Sequence, residues 1–390
     1  MASIPTAQGH RQVRVKAPLL LVHYMPWFEA KPFDGAWGWH WTMNRFKPDE
    51  EVAGRRQIAS HYYPLIGPYA SDDPAVLEYH TLLMKVAGID GVVVDWYGRT
   101  SYFDYGIIHL NTEKLAPFLR KTGLKFAVCY EDQSVAQMIK GNALPVPDPT
   151  AYARDLFRWL GASWFRDPDY ARVDGRPLFV VFGPQYFKDE AWSALFEGIS
   201  PRPLYLSLHN RRGPADGAFD WPLPAPDRGL KAVDEFYAKS KDWPIAMPVV
   251  FPRFHDIYRE AGVHELYGSI EDNGGKTFTT LLKRAMESKA PVVQIATWND
   301  WGEGTNVEPS VEFGYRDLEA IQAARRKALG TAFSYSAADL RIPLEIYQLR
   351  KRAKIDSGAT SELGLAAAAL IRGDVTAARA VVRRLGAKPQ

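Results

Sequence analysis

The chain has 390 residues, 46% hydrophobic and 24% charged, enough for one large globular domain with an appendage or for two modest domains. Its net charge of +3 is unevenly placed, with ten Lys/Arg against four Asp/Glu from Arg341 onward, which argues against a nucleic-acid enzyme that gathers basic residues around its site. The single cysteine, Cys129, excludes an intramolecular disulfide and any cysteine-based metal cluster. Twelve Trp and nineteen Tyr exceed what a core usually needs, and several fall in polar, glycine-containing segments, which favours a ligand that stacks on aromatic rings.

Taken in chain order, Met1 to Lys16 reads as an arm without the apolar run of a signal peptide, and Ala17–Val22 is too short for a membrane span. A soluble protein is expected, periplasmic or secreted if a leader has been removed and otherwise cytoplasmic. Eight apolar, β-rich runs follow: Leu19–Tyr24, Gly91–Trp96, Lys125–Tyr130, Pro177–Phe182, Pro203–Leu208, Ala218–Trp221, Ile245–Phe251 and Val292–Trp298. Amphipathic helices are expected between them over Pro74–Val86, Thr112–Lys121, Thr150–Trp164, Glu190–Gly198, Leu230–Lys241 and Thr277–Ser288. Apolar strands alternating with helices predict an α/β fold, a (β/α)₈ TIM barrel with long βα loops spanning 17–330. An open doubly wound sheet is the competitor, but no G-x-G-x-x-G follows the first strand. After Gly330 the texture becomes alanine-rich, and Pro343–Lys354, Ser361–Arg372 and Val375–Leu385 predict a small C-terminal helical extension over 331–390.

A barrel places its functional residues just after the strands' C-terminal ends. Tyr24 and Trp27 follow the first strand, ahead of a loop bearing Asp34, Trp37, His40 and Trp41. The second strand ends in Asp95, Trp96 and Tyr97, the third in Glu131, the fifth in His209 and the seventh in Arg253. Each of these has a structural alternative: Asp95 and Glu131 as rim hydrogen-bonders, Arg253, His40 and His209 as satisfied polar residues, the tryptophans as core. The eighth strand leads into Trp298-Asn299-Asp300-Trp301-Gly302-Glu303-Gly304-Thr305. Two carboxylates three residues apart among tryptophans suit a sugar site, where acids protonate or attack at the anomeric carbon and indoles stack on sugar faces. Nothing has metal-ligand spacing, and no cofactor is expected.

That segment, continued by Asn306-Val307-Glu308-Pro309, resembles the W-N-E-W-x-E-G-T…E-P signature of the glycoside hydrolase family 99-like and WbsX-like barrels. Tyr24-Met25-Pro26-Trp27-Phe28, Phe33-Asp34-Gly35…Trp37…His40-Trp41, His61-Tyr62-Tyr63-Pro64…Gly67-Pro68-Tyr69 and Ser71-Asp72-Asp73-Pro74 agree in order. The resemblance covers about 17–330. It implies a retaining glycoside hydrolase of a poly- or oligosaccharide, mannan being one substrate it allows. Glu303 would be the general acid/base, and Asp300 the acid that engages the sugar 2-hydroxyl. Tyr24, Trp27, Asp34, Trp37, His40, Trp41, Asp95, Trp96, Tyr97, Glu131, His209, Arg253, Trp298, Asn299 and Trp301 would bind substrate. The chain departs from the signature at Asp300, where the family usually has Glu, and at Gly302, where a bulkier residue is common. Two alternatives follow: a glycosyltransferase-like enzyme of polysaccharide assembly, marked by a phosphate cradle near Arg253, and a catalytically inactive carbohydrate-binding barrel. Neither nucleic acid nor a membrane span is expected, and the sequence leaves the oligomeric state open.

Overall fold

All eight apolar runs form strands, and the strands close on one another. The computed structural model describes residues 17–387 apart from 227 and 353–356, so the expected arm lies outside the described residues. The strands are β1 (Leu19–Tyr24), β2 (Gly91–Trp96), β3 (Lys125–Tyr130), β4 (Arg176–Val181), β5 (Leu204–Leu208), β6 (Gly217–Phe219), β7 (Ile245–Met247 and Val249–Val250) and β8 (Val292–Ile295). Each pairs in parallel with its sequence neighbour, and β1 pairs with β8, so the sheet is a barrel. The seventh strand is split at Pro248. Ile245–Met247 pairs with β6 and Val249–Val250 with β8, because proline has no N–H to continue a ladder and the chain changes partner there. Glycines open β2 and β6 because a Cβ at Gly91 would lie 2.1 Å from the Lys125 carbonyl oxygen, and one at Gly217 1.8 Å from that of Ile245.

The expected helices appear as Pro74–Ala87, Tyr105–Thr122, Pro149–Ala162, Ala191–Leu195, Gly229–Lys239 and Lys276–Glu287. Asp73 and Asp148 cap two of them, accepting from the backbone N–H of Ala75 and Thr150, each with proline at the first helical position. The second helix starts seven residues before its expected boundary. A further helix, Arg316–Leu329, was not foreseen, because its buried face carries Asp317, Gln322 and Arg325 among Leu318 and Ile321. These polar groups are satisfied by the barrel: Asp317 takes Arg253 Nη2 at 2.7 Å, Gln322 donates to the Val86 carbonyl, and Arg325 pairs with Asp90 at 2.8 Å. A polar buried face hides the 3.6-residue period on which sequence reading depends.

The C-terminal helices Ile342–Arg352 and Ser357–Ile371 lie against the Pro74–Ala87 helix, Val375–Gly386 packs on those two, and the first pair shares the barrel's hydrophobic core through Ile346, Leu363, Ala366 and Leu370. Arg350 grips both oxygens of Glu78 at 2.7 and 3.0 Å, and Lys351 pairs with Asp73. Among the described residues no helix is long and apolar enough to cross a membrane.

Arg253 is 1% exposed, and its guanidinium sits between Asp317, the Asn306 carbonyl and the Phe313 ring, 3.6 Å from the ring centroid. It was expected to bind substrate, but it is buried: Nη1 bonds the Asn306 carbonyl, Nη2 bonds Asp317 on the last barrel helix, and Nε is left without a hydrogen-bond partner. Removing one partner of a buried pair leaves an uncompensated charge. Asp317→Ala should therefore lower stability in urea unfolding by about 3 kcal/mol, whereas Lys351→Ala, which removes a largely solvated ammonium from Asp73, should cost less, about 1 kcal/mol.

Candidate active site

The loop after β8 folds back on its own stem. Thr297 and Thr305 meet through both backbone and hydroxyl at 3.0 Å, Val307 N–H returns to the Thr297 carbonyl, and Glu308 N–H to that of Trp298. Asn299 ties this loop to the exit of β1: its Oδ1 accepts from Met25 N–H at 2.8 Å and its Nδ2 donates to the Met25 carbonyl at 3.0 Å. Beneath it runs a buried polar network. The Tyr69 hydroxyl accepts from Asn299 and Trp301 and donates to Glu308 Oε2 at 2.7 Å; Glu308 Oε1 meets His80 Nε2 at 3.0 Å, and His80 Nδ1 meets the Tyr24 hydroxyl at 3.0 Å.

This fastening places Asp300 and Glu303. Asp300 Oδ1 accepts the Glu303 N–H at 2.9 Å, and the Asp300 N–H is held by Thr297 Oγ1 at 2.8 Å. The loop after β7 pins the other side, with His255 N–H on the Glu303 carbonyl at 2.8 Å and Ile257 N–H on the Gly302 carbonyl at 3.0 Å. Gly304, at φ 68°, must be glycine, since a Cβ would stand 2.6 Å from the His255 carbonyl oxygen.

The two carboxyls have different environments. Burial pushes Asp300 up to about 6, against hydrogen bonds from the Glu303 and Gly302 backbone and the attraction of His40. Glu303 is held well above the usual carboxylate range by burial first and by Asp300, Asp256 and Asp95 after it; its Oε2 is buried without a partner. Asp95 is pushed up to about 7 by burial, with Asp300 and Asp104 adding and a hydrogen bond from Tyr97 opposing. Glu131 is raised well above its ordinary value by burial and then by Asp95, while Gln133 Nε2 donates to its Oε2 at 2.8 Å. The exits of β2, β3 and β8 thus bring four carboxyl groups into mutual electrostatic range. Among the described residues no group of three or more His, Cys, Asp or Glu is arranged to hold a metal ion.

A groove of about 640 Å³ is lined by Trp27, Trp39, His40, Tyr97, Asp104 and Tyr105, among others, and is linked to the acids through His40, which attracts Asp300, and Tyr97, which bonds Asp95. Trp27 stacks on His40 at 4.1 Å and 7°, and Tyr97 on Tyr105 at 5.0 Å and 10°, giving two flat aromatic pairs. His40 Nε2 meets Asp104 at 2.8 Å. Asp34 lies on the rim loop, accepting from Ala30 N–H, and is pushed up to about 6 by burial and by Asp72. Trp37 is tied farther out, donating to Asp49 beneath the Arg56 guanidinium. His209 Nδ1 pairs with Asp220 at 2.9 Å at the exits of β5 and β6.

Several expected platforms are corrected. Trp41, Trp96, Trp298 and Trp301 are 0% exposed. Trp41 packs on Phe28, Trp96 lies against Trp159 and Trp164, and Trp298 meets His80 edge-on; with all four fully buried, no indole face is open to solvent. Tyr24 and Asn299 are also fully buried, and their polar atoms are spent on His80, Met25 and Tyr69. No role was expected for Trp39, Tyr105, Asp256 and Tyr258 around the site or for His80 beneath it, and Tyr69 and Glu308 stood in the family signature without one. The string Phe254-His255-Asp256-Ile257-Tyr258 after β7 carried a usable signal, an acid and an aromatic directly at a barrel exit.

Residues 17–219, just over half of the chain, match the glycosyl hydrolase family 99 pattern. The chain belongs to that family. Residues 230–321 also match the pattern described as glycosyltransferase WbsX. Among curated relatives, the glycoprotein endo-alpha-1,2-mannosidase-like protein of Danio rerio is 25% identical over 281 residues, 65% of this chain and 60% of the relative. The glycoprotein endo-alpha-1,2-mannosidase of Mus musculus is 23% identical over 365 residues, 80% of this chain and 72% of the relative. The chain spans about three fifths of the length of the mannosidase-like relatives it matches. The solved GH99 endo-alpha-mannosidase of Bacteroides thetaiotaomicron superimposes with a TM-score of 0.61 at 21% identity, covering 80% of this chain and 98% of that one, a likeness of fold.

Raised carboxyls couple the site to stability. Folded Asp95 keeps its proton up to about pH 7, whereas in the unfolded chain it ionises near about 4. The folded state then binds more protons across that window, so stability falls as pH rises through it. Asp95→Asn removes that penalty. Its gain in melting temperature should be small at pH 4 and larger at pH 8, as scanning calorimetry at the two pH values will read.

Proposed function

We propose that this member of family 99 is a retaining glycoside hydrolase that cleaves an α-linked poly- or oligosaccharide, with Glu303 and Asp300 as its acid pair. The observation that carries this reading is their contrast within one loop: Glu303 is held protonated beside an Asp300 that ionises at about 6. Two carboxyls driven to different protonation states are what acid-assisted glycosidic cleavage needs. Glu303 protonates the departing glycosidic oxygen. Asp300 takes the proton from the sugar hydroxyl next to the anomeric carbon, whose oxygen closes on that carbon. Water then attacks the anomeric carbon with Glu303 as base, the C–O bond of the closed ring breaks, Asp300 returns its proton to the released oxygen, and the configuration is retained. The groove linked to the acids, with its two stacked aromatic pairs, would hold neighbouring sugar rings.

Asp300 is one methylene shorter than the residue usual in the family, which withdraws its carboxyl by about 1.5 Å; a shift on the order of 1 Å costs about a hundredfold where nothing compensates. The transferase alternative needs a free cation for a donor phosphate. Arg253, which would have served, is buried against Asp317 and Phe313. The names of the mannosidase relatives put α-1,2-linked mannan first among substrates to try.

Purified protein incubated with a polysaccharide panel led by α-1,2-linked mannan should release oligosaccharides detectable by mass spectrometry. Glu303→Gln should reduce release by at least about a thousandfold while still binding the same glycan; equal product from both proteins would reject Glu303 as the acid. Activity should rise with pH as Asp300 loses its proton near 6, and fall at higher pH as Glu303 loses its own, the two limbs belonging to the coupled pair.

A further inference from the structure

A second cavity opens on the same face of the barrel as the acids, outside the groove. It has about 580 Å³ and is lined by Arg99, Thr100, Ser101, Tyr102, Tyr152 and Asp155, among others. Arg99 to Tyr102 follow β2, and Tyr152 and Asp155 lie in the first half of the Pro149–Ala162 helix, which follows β3. Arg99 stands four residues beyond Asp95, at most about 14 Å of extended chain. Tyr102 lines this cavity while the next residue, Phe103, lines the groove, so one short stretch of loop borders both.

Two glycines fix the walls. A Cβ at Gly98, at φ 102°, would stand 2.8 Å from the Tyr152 hydroxyl, and one at Gly141 2.1 Å from that of Tyr102. Each glycine thus admits a tyrosine that a larger residue would push away. Phe103 adopts φ 47°, a left-handed conformation that is costly for a bulky residue, and it stays 68% exposed.

Arg99 is the only arginine or lysine among the residues that line the cavity or the groove. Its guanidinium carbon lies 4.2 Å from the centre of the Trp159 ring, and Trp159 is itself stacked on Trp96 and edge-on to Trp164. Among the described residues no protein oxygen takes any of its N–H groups. Asp155, the acid in the cavity wall, is paired with Arg158 at 3.0 Å. The cavity therefore carries an uncommitted positive charge, while the groove holds Glu29 and Asp104 and the mouth holds Asp95, Glu131, Asp300 and Glu303.

We propose that this cavity binds an acidic sugar, its oxyanion taken by the guanidinium of Arg99, and that it fixes which unit of a polysaccharide meets the acids. This rests on the carbohydrate reading above. A guanidinium presents paired donors that match a carboxylate or a sulfate ester, and one held against a ring loses little freedom on binding. The same anionic unit at the acids would meet Asp300 and the burial that disfavours every charge there. In a chain that mixes neutral and acidic units, the charge pattern draws the acidic unit to Arg99 and leaves a neutral one for Glu303 and Asp300. One cation beside an acid suits a singly charged group, not the diphosphate of a nucleotide donor, whose charge needs more than one counter-ion.

The parent, Arg99→Ala and Arg99→Lys chains, each also bearing Glu303→Gln to block turnover, are titrated calorimetrically with α-1,2-linked mannan oligosaccharides in three forms: neutral, oxidised to a carboxylate at C6 of one unit, and sulfated there. With Arg99 present, one acidic form should bind at least about tenfold more tightly than the neutral one at low salt, the advantage shrinking as salt is raised. Arg99→Ala should erase that advantage and Arg99→Lys keep only part of it, because an ammonium lacks the paired donors. Both should melt within about 2 °C of the parent, since Arg99 holds no hydrogen bond to protein among the described residues. The carboxylate and sulfate arms tell which oxyanion the cavity takes. Equal affinity for all three forms, failure to bind any of them, or an acidic preference that survives Arg99→Ala overturns the site. A loss in Arg99→Ala that is as large for the neutral form marks the arginine as structural and overturns it too. Glu303-dependent cleavage without an acidic preference removes the site and leaves the hydrolase reading; an Arg99-dependent preference in a chain that cleaves nothing does the reverse.

Discussion

Glu308 carries no acid chemistry of its own, yet the site depends on it. Its carboxyl group is 2% exposed and is shared between Tyr69 and His80, and Tyr69 in turn holds Asn299 and Trp301. One buried group therefore joins the exit of β1, the Pro74–Ala87 helix and the loop that bears both acids. Each polar atom in this chain has a partner inside it, so the loop has few alternative positions that do not strand a buried donor or acceptor, at about 1–3 kcal/mol each. A rigid loop is what lets Asp300 and Glu303 sit side by side without relaxing into solvent.

The electrostatic consequence follows from where the cations are. Arg253 is spent on Asp317, Arg316 on Asp272, Arg325 on Asp90 and Arg350 on Glu78, all in structural pairs. His40 is a basic group that lowers Asp300. With Asp95, Glu131 and Asp256 adding their charge in a low-dielectric site, the carboxyls at the mouth repel one another, and protons are retained where burial is deepest. Charge separation over the whole molecule thus serves the local task of keeping one acid protonated.

Much of the fold was legible because strands buried on both faces write themselves as continuous apolar runs. All eight did, including the short Gly217–Phe219. The Arg316–Leu329 helix was not legible, since its inward face is made of charged groups paired across the barrel. At the site, the acid motif stood out by its spacing, but its tryptophans were misread. Indole is amphipathic, and sequence does not say which face is covered: Trp298 and Trp301 turn into the core, while Trp27 and Trp39 line the groove.

The central claim is that one loop holds two carboxyls in opposite protonation states. A carbon-13 NMR titration of the side-chain carboxyls tests it most directly, with Asp300→Asn and Glu303→Gln supplying the assignments. The account predicts that the pair titrates with one midpoint near 6, lost with Asp300, and another clearly higher, lost with Glu303. A Glu303 signal that titrates near the ordinary value of about 4.3 would contradict it.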